Sequence, residues 1–282
     1  MFGSAPALSV GLLRFLEDGM GPGVYSLSDE EYNDLDMARW SEVKLMLDCP
    51  AEYKHRKDHG TKPTASMSLG SMVHSMVLEP AMVNSRYVRH EKLDRRTKAG
   101  KERWKELQEE ADGRELVEAS VFDQAMGLSD KLGRAMRSEL HGWRDARKEL
   151  AVVGEILSIP AKCKIDLVID GQGWDVKTTK DLSPRNFMTS CFRLGYYGQI
   201  ATYQELLDQH EDGTEMGGII AVQTVGAPVV HVLRFSDEAK RLGRKMRFEA
   251  WTRLRMCRDE QVWPGYRFGE ELGVPGWAWT EF

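Results

Sequence analysis

The chain reads as an α/β (α+β) fold: a mixed central β-sheet flanked by helices, with a helical elaboration on its N-terminal side. Three observations point there. Apolar residues recur at helical spacing through the first half; near residue 150 the character changes sharply to β-rich runs broken by tight turns; the second half then alternates helix and strand.

In order along the chain, residues 1–34 mix Gly, Pro, Ser and acids and read as an acidic N-terminal arm with at most one short helix, around Leu8 to Leu16. Residues 35–282 read as one domain. Leu35, Met37, Trp40, Val43 and Leu47 recur at helical spacing, and Pro50 is expected to end that segment. A second helix is expected from Ser68 to Glu79, where Leu69, Met72, Val73, Met76 and Val77 form an apolar stripe stopped by Pro80. His74 lies just off the stripe. Residues 90–148 are rich in Lys, Arg, Glu, Leu and Ala without Pro, which predicts mostly helix. Ala151 to Ile159 and Lys162 to Ile169 read as strands, Asp170-Gly171-Gln172-Gly173 as a turn, and Trp174 to Thr178 as a third strand. After Ser183-Pro184 comes a helix running through Gln199 to Leu207. Gly217 to Val225 and Val229 to Phe235 read as two more strands, Asp237 to Cys257 as a basic helix, and Trp263 to Trp279 as a Pro/Gly/Trp tail. No internal repeat is seen.

Composition narrows the function classes. The 282 residues are 41% hydrophobic and 29% charged, which excludes a disordered or fibrous chain. A net charge of −5 and a pI of about 5.9 exclude wholesale, histone-like attraction to nucleic acid. Local patches are another matter. Residues 1–50 carry three basic against nine acidic side chains, whereas residues 86–105 carry nine basic against three acidic. The four cysteines, Cys49, Cys163, Cys191 and Cys257, stand far apart and read as reduced thiols. No apolar run approaches the ~18 residues needed to span a bilayer, and no cationic start precedes the first apolar stretch, so a cytoplasmic protein is expected.

The chemistry concentrates in Lys164-Ile165-Asp166 and Trp174-Asp175-Val176-Lys177-Thr178. Two strands joined by a tight turn bring Asp166 and Asp175 to neighbouring positions. Strand alternation puts Asp175 and Lys177 on one face and Val176 in the core. Two carboxylates suit Mg²⁺ or Mn²⁺, and a nearby lysine can orient or help deprotonate a water. A lone D-x-K on a strand is ordinarily a solvated salt bridge. Three companions weigh against that. His74 has Gly70 one turn back, which leaves room for an approaching group; Gln199 and Tyr203 share a helix face at i, i+4; and Ser183-Pro184-Arg185 follows the strand directly, where Arg185 could meet a phosphate.

The runs Leu69 to Pro80, Cys163 to Asp166, Asp175-Val176-Lys177-Thr178-Thr179 and Tyr196 to Tyr203 together resemble the RecE-type phage exonucleases (exonuclease VIII) of the PD-(D/E)XK nuclease superfamily. The segments from Trp40 to Tyr53, Trp263 to Tyr266 and Pro275 to Trp277 are similar to that family's ends, so the resemblance spans about Leu35 to Trp279. It implies a restriction-endonuclease-like core. Asp166 and Asp175 would bind the metal with the backbone carbonyl of Val176, His74 would join that site, and Lys177 would position or activate the attacking water. Gln199 and Tyr203 would support the site and the DNA backbone. Glu149, just before the first strand, is a further acidic candidate. Two departures are visible: Ile165 stands where the family's name has proline, and Cys191 and Cys257 lack the spacing that holds an iron–sulfur cluster in some RecB-like relatives, so none is expected.

DNA contacts would come from the 86–105 run or from the helix bearing Lys240, Arg241, Arg244, Lys245, Arg247, Arg253 and Arg255, although either could be a solvated face. The resemblance implies a Mg²⁺-dependent exodeoxyribonuclease, with Mn²⁺ a substitute. It would degrade one strand of linear double-stranded DNA, 5′ to 3′, to give single-stranded tails for recombination by annealing. A ring-like homo-oligomer, a RecT-like single-strand annealing partner and a phage or prophage origin in a bacterial host are implied in the same way. The alternatives are another PD-(D/E)XK activity, such as a RecB-like 3′ to 5′ exonuclease or a structure-specific endonuclease, or an inactive DNA-binding module.

Overall fold

The structure, a computed structural model, describes residues 21–61 and 64–266. The expected helix around Leu8 to Leu16 and most of the Trp263 to Trp279 tail lie outside them. The elements are β1 (Gly23–Ser26), α1 (Asp29–Asp34), α2 (Trp40–Val43), α3 (Pro50–His59), α4 (Ala65–Leu78), α5 (Val83–Arg86), β2 (Tyr87–His90), α6 (Lys98–Ala111), β3 (Glu115–Glu118) and α7 (Ala119–Glu139). They continue with β4 (Arg147–Ile156), β5 (Ile159–Ile169), β6 (Gln172–Thr179), α8 (Pro184–Arg193), α9 (Tyr196–Leu207), β7 (Glu215–Gln223), β8 (Val230–Arg234) and α10 (Asp237–Glu260).

Six strands form one mixed sheet in the order β1-β4-β5-β6-β7-β8. Only β6 and β7 run parallel within it; the other neighbours are antiparallel. The parallel pair follows from the helical crossover of α8 and α9 between β6 and β7, which antiparallel hairpins do not need. Helices close both faces. On one side Trp40, Met46, Ile165, Ile200, Trp251 and Leu254 tie α9 and α10 to β4 and β5. On the other Met72, Val73, Leu128, Leu132, Val176 and Ile220 tie α4 and α7 to β6 and β7. The result is a three-layer α/β/α arrangement with the central strands buried on both sides.

Several elements differ from the sequence reading, each for a local reason. Residues 35–39 are not helical, because Ala38 bridges to Ala161 and exchanges backbone hydrogen bonds with Pro160 and Lys162. The helical run from Trp40 passes into a 3-10 turn over Lys44–Leu47 and is over before Pro50, which in addition starts α3 at its first position, where a missing N–H costs nothing. The 90–148 stretch is interrupted by β3, which pairs in parallel with β2. The helix expected through residue 207 is two helices, broken at Gly195 with φ +75°. Part of the expected arm is built into the sheet: β1 pairs antiparallel with β4. The β4–β5 turn falls at Leu157-Ser158 and the β5–β6 turn at Asp170-Gly171, with φ values of +51°, +59°, +48° and +70°, the all-positive pattern of tight type I′ hairpins.

Candidate active site

The site begins where the sheet forks. The β5–β6 ladder ends at the pair Leu167↔Trp174, while β6 stays paired with β7 as far as Thr179↔Gln223. The next residues of the two strands, Asp166 and Asp175, therefore stand at the mouth of the fork. Val176 turns its backbone into the gap. Its N–H donates to Asp166 Oδ2 at 2.6 Å, and its carbonyl oxygen lies 2.7 Å from His74 Nε2. The Val176 side chain is buried against α4 and α7, which by alternation sends Asp175 and Lys177 to the opposite face.

On that face α9 supplies the partners. Gln199 Nε2 donates to Asp175 Oδ1 at 2.7 Å and to the Tyr203 hydroxyl at 2.9 Å. Lys177 Nζ lies 2.5 Å from Asp175 Oδ2 and 4.8 Å from the centre of the Tyr196 ring. Asp175 Oδ2 itself is buried and without a well-directed hydrogen bond. The position of α9 depends on Trp40, whose indole N–H donates to the Gly195 carbonyl at 2.7 Å. A Cβ on Gly198 would fall 2.1 Å from Trp40 Cζ2, so only glycine lets the ring lie flat against the helix that carries Gln199.

A second carboxylate approaches from β4. Glu149 sits between the pairs Lys148↔Leu167 and Leu150↔Ile165, directly across from Asp166, and its φ of +50° takes it out of regular strand geometry. One donor atom each from His74, Glu149 and Asp166 lies within 4.8 Å of the others, and His74 Nε2 is 3.7 Å from Asp166 Oδ2. An octahedral divalent ion with ligands at ~2.1 Å needs donors about 3 Å apart when adjacent and about 4.2 Å apart when opposite. His74 Nε2 stands 2.7 Å from the Val176 carbonyl oxygen and 3.7 Å from Asp166 Oδ2, near those separations, and an imidazole, two carboxylates and a carbonyl are a donor set such an ion accepts. Asp175 falls outside this closest group, held instead by Gln199 through Oδ1 and by Lys177 through Oδ2.

Electrostatics sort the roles. Burial pushes the Asp166 carboxyl up to about 7; His74 opposes that rise, and the negative charges of Asp175 and Glu149 add to it. So dense a set of buried carboxylates is costly without a compensating cation. Burial would lower the Lys177 ammonium, yet the Asp175 and Asp166 carboxylates outweigh it and hold its pKa above the ordinary lysine value. Lys177 is thus a fixed cation at neutral pH, suited to orienting a water or steadying negative charge and unsuited to taking up a proton. Tyr203 is raised well above the usual tyrosine range, by burial first and Asp175 second, so its hydroxyl stays protonated beside Gln199.

Residues 40–271 match a family described as PDDEXK-like domain of unknown function (DUF3799). The chain belongs to this PDDEXK-like family. The match contains every residue of the fork, from His74 to Tyr203. Among solved structures the fold is similar to the crystal structure of a candidate exonuclease from Eubacterium rectale, with a TM-score of 0.59 and 18% identity over 89% of this chain and 96% of that one. At that identity the likeness is one of fold. A second structure, that of SSO0001, gives a TM-score of 0.33 with 12% identity over 87% of this chain and 84% of that one, and carries no argument. Comparison with curated proteins found no match.

Within the PDDEXK-like fold the remaining sequence candidates are placed less centrally. Arg185 is exposed on the first turn of α8 and does not line the cleft beside the fork. Gly70 lines that cleft but leaves no open space behind it, since a Cβ there would meet Thr178 Oγ1 at 3.1 Å. In the 86–105 run, Arg89, Arg96, Lys98, Arg103 and Lys105 pair with Asp123, Asp94, Glu102, Glu106, Glu109 and Glu110. On α10, Lys240, Arg247, Arg253 and Arg255 pair with Glu215, Glu205, Glu249 and Asp259. Acids within these runs, or brought to them from elsewhere in the chain, thus offset much of their positive charge. All four cysteines are buried. Among the described residues no helix is long and apolar enough to cross a membrane. Sequence reasoning assigned no role to Tyr196 or Lys164. Lys164, two positions before Asp166 on the same strand, carried the one available signal.

Proposed function

We propose that the protein is a Mg²⁺-dependent exodeoxyribonuclease that degrades one strand of linear double-stranded DNA, 5′ to 3′, leaving single-stranded tails for recombination by annealing. The observation that supports it most is the convergence of His74, Asp166, Asp175, Lys177 and Gln199 on one fork of the sheet, in a chain of the PDDEXK-like family. His74, Glu149, Asp166, Asp175 and the Val176 carbonyl would hold the cation. When bound, the cation supplies Lewis-acid polarisation of the scissile phosphate and lowers the pKa of water in its shell. The protein's own groups do the rest. Lys177 orients the attacking water and offsets charge developing on the phosphate, Gln199 fixes the Asp175 rotamer, and Tyr203 fixes Gln199. Strand polarity, a ring-like assembly of identical subunits, a RecT-like annealing partner and a phage or prophage origin belong to the same proposal and rest on the resemblance alone, while a cytoplasmic setting is carried over from the sequence expectation.

Incubation with Mg²⁺ and DNA labelled at one 5′ or one 3′ end, beside a covalently closed circle, tests the reading. Progressive loss of the 5′-labelled end with the circle intact supports it. Cutting of the circle would replace it with an endonuclease, and loss from the 3′ end would reverse the polarity.

A further inference from the structure

We propose that Arg86 and Lys164 form a binding site for one phosphate group of the DNA strand, and that Asp29 occupies that site in the free protein. The inference rests on the nuclease reading above and adds to it a substrate contact beside the fork. Asp29, in the first turn of α1, places one oxygen on each cation: Oδ1 accepts from Lys164 Nζ at 2.6 Å, and Oδ2 lies 2.9 Å from Arg86 Nη2. Each cation is anchored from behind by a different group. Arg86 Nη1 donates to Glu79 at 2.6 Å and to the Ser75 hydroxyl at 3.0 Å, and Lys164 Nζ lies 3.1 Å from Glu149 Oε2.

Exposure separates the fixed from the replaceable partners. The side chains of Lys164, Glu149 and Arg86 are 13%, 16% and 22% exposed, whereas Asp29 is 52% exposed. Both cations are largely buried, Arg86 in the wall of the cleft and Lys164 behind Asp29 and Glu149, and the carboxylate bridging them faces water. A carboxylate that takes one hydrogen bond from a guanidinium and one from an ammonium stands where two non-bridging oxygens of a phosphate would stand, since both anions offer paired oxygens to such donors. Asp29 and Arg86 line the same cleft of about 630 Å³ as His74, Glu149 and Lys177. Glu149 joins the two sites physically, touching Lys164 on one side and grouped with His74 and Asp166 on the other. A strand seated with its scissile phosphate at the fork would therefore have another phosphate within reach of Arg86 and Lys164. To fill the site it must displace Asp29.

Binding of a fluorescent 20-base-pair duplex, followed by anisotropy with Ca²⁺ replacing Mg²⁺ to suppress cleavage, tests this. Removing the competing charge in Asp29→Asn is expected to tighten binding about twofold to fivefold, the range of a half-exposed ion pair. Arg86→Gln and Lys164→Gln are expected to weaken binding and each to lower the log–log salt slope by about one. The gain from Asp29→Asn is expected to vanish in the Arg86→Gln background, which a structural role for Asp29 would not cause. A gain confined to 5′-phosphorylated duplex identifies the group as the terminal phosphate; an equal gain with a 5′-hydroxyl duplex identifies an internal phosphodiester. Wild type that binds DNA while Asp29→Asn binds equally or more weakly overturns the phosphate site and leaves the nuclease reading standing. Wild type that binds no duplex overturns both. Asp29→Asn needs no buried cation removed, so it decides the matter even if the Gln variants fail to fold.

Discussion

Replacing Asp166 by asparagine separates stability from activity at a single atom. The residue is 8% exposed, and burial beside other carboxylates pushes its pKa up to about 7, against about 3.9 for an unfolded aspartate. The gap of about three pKa units corresponds to a ceiling of about 4 kcal/mol. Because the folded pKa lies above the unfolded one, the native state holds the proton more tightly. The ionisation penalty is absent below about pH 4, grows between about 4 and 7, and is complete above about 7. The asparagine side chain would keep an oxygen to accept the Val176 N–H, now 2.6 Å from Asp166, with no charge to desolvate, while its new NH₂ group loses about 2 kcal/mol if it finds no acceptor. Metal-free Asp166→Asn is therefore expected to be about 2 kcal/mol more stable than metal-free wild type at pH 8. That is a rise in Tm of roughly 3–4 °C for a chain of this size; towards pH 4, where the wild-type penalty is gone and only the amide cost is left, the difference shrinks and reverses. Calorimetry in EDTA at several pH values reads this directly, and added Mg²⁺ should raise the Tm of wild type but not of the variant. A lower Tm for the variant at pH 8, or a gain that does not change with pH, would refute the reasoning.

Other expectations follow from the same contacts. Gln199→Ala releases Asp175 Oδ1, now held at 2.7 Å, and should lower kcat about 10- to 100-fold with little change in melting; an unchanged kcat counts against the positioning role. Lys177→Met should lower kcat about 10²- to 10³-fold. Because Asp175 and Asp166 keep Lys177 protonated, the wild-type rate should show no loss from this residue on the alkaline side up to about pH 10; an alkaline limb near pH 8 that disappears in Lys177→Arg would contradict this. Gly198→Ala forces a Cβ to within 2.1 Å of Trp40 Cζ2 and should destabilise by about 1–3 kcal/mol, with activity falling as α9 shifts. A melting curve matching wild type would show that the ring moves aside at no cost.

How much of this could be read in advance depended on how local the signal was. The apolar stripe at Leu69, Met72, Val73 and Met76 marked α4, and Asp170-Gly171 marked a hairpin because both φ values are positive there. Leu157-Ser158 makes the same kind of turn with residues that do not advertise it, so the β4–β5 boundary was misplaced. Pro50 is ambiguous by nature, since one ring both stops a preceding helix and starts a following one. In the site, the D-x-K spacing put Asp175 and Lys177 on one face, where they pair, and the i, i+4 spacing put Gln199 and Tyr203 on one helix face, where the structure adds a hydrogen bond between them. What stayed hidden was long-range. The termination of the β5–β6 ladder at Leu167↔Trp174 opens the fork, the left-handed backbone of Glu149 aims it at Asp166, and Asp29 reaches Lys164 across 135 positions. None of these has a pattern that neighbouring residues reveal. The basic runs show the same limit: their charges are conspicuous along the chain, whereas the acids that pair with Arg89 and Arg247 are far away along it.

The most direct test is release of nucleotides from an end-labelled linear duplex by wild type, Asp175→Ala and Lys177→Ala, with Mg²⁺ and with EDTA. The proposed function predicts release by wild type only when Mg²⁺ is present, and a loss of at least about 100-fold in both folded variants. Wild type without cleavage in Mg²⁺ or Mn²⁺, or either variant cutting at the wild-type rate, would contradict it.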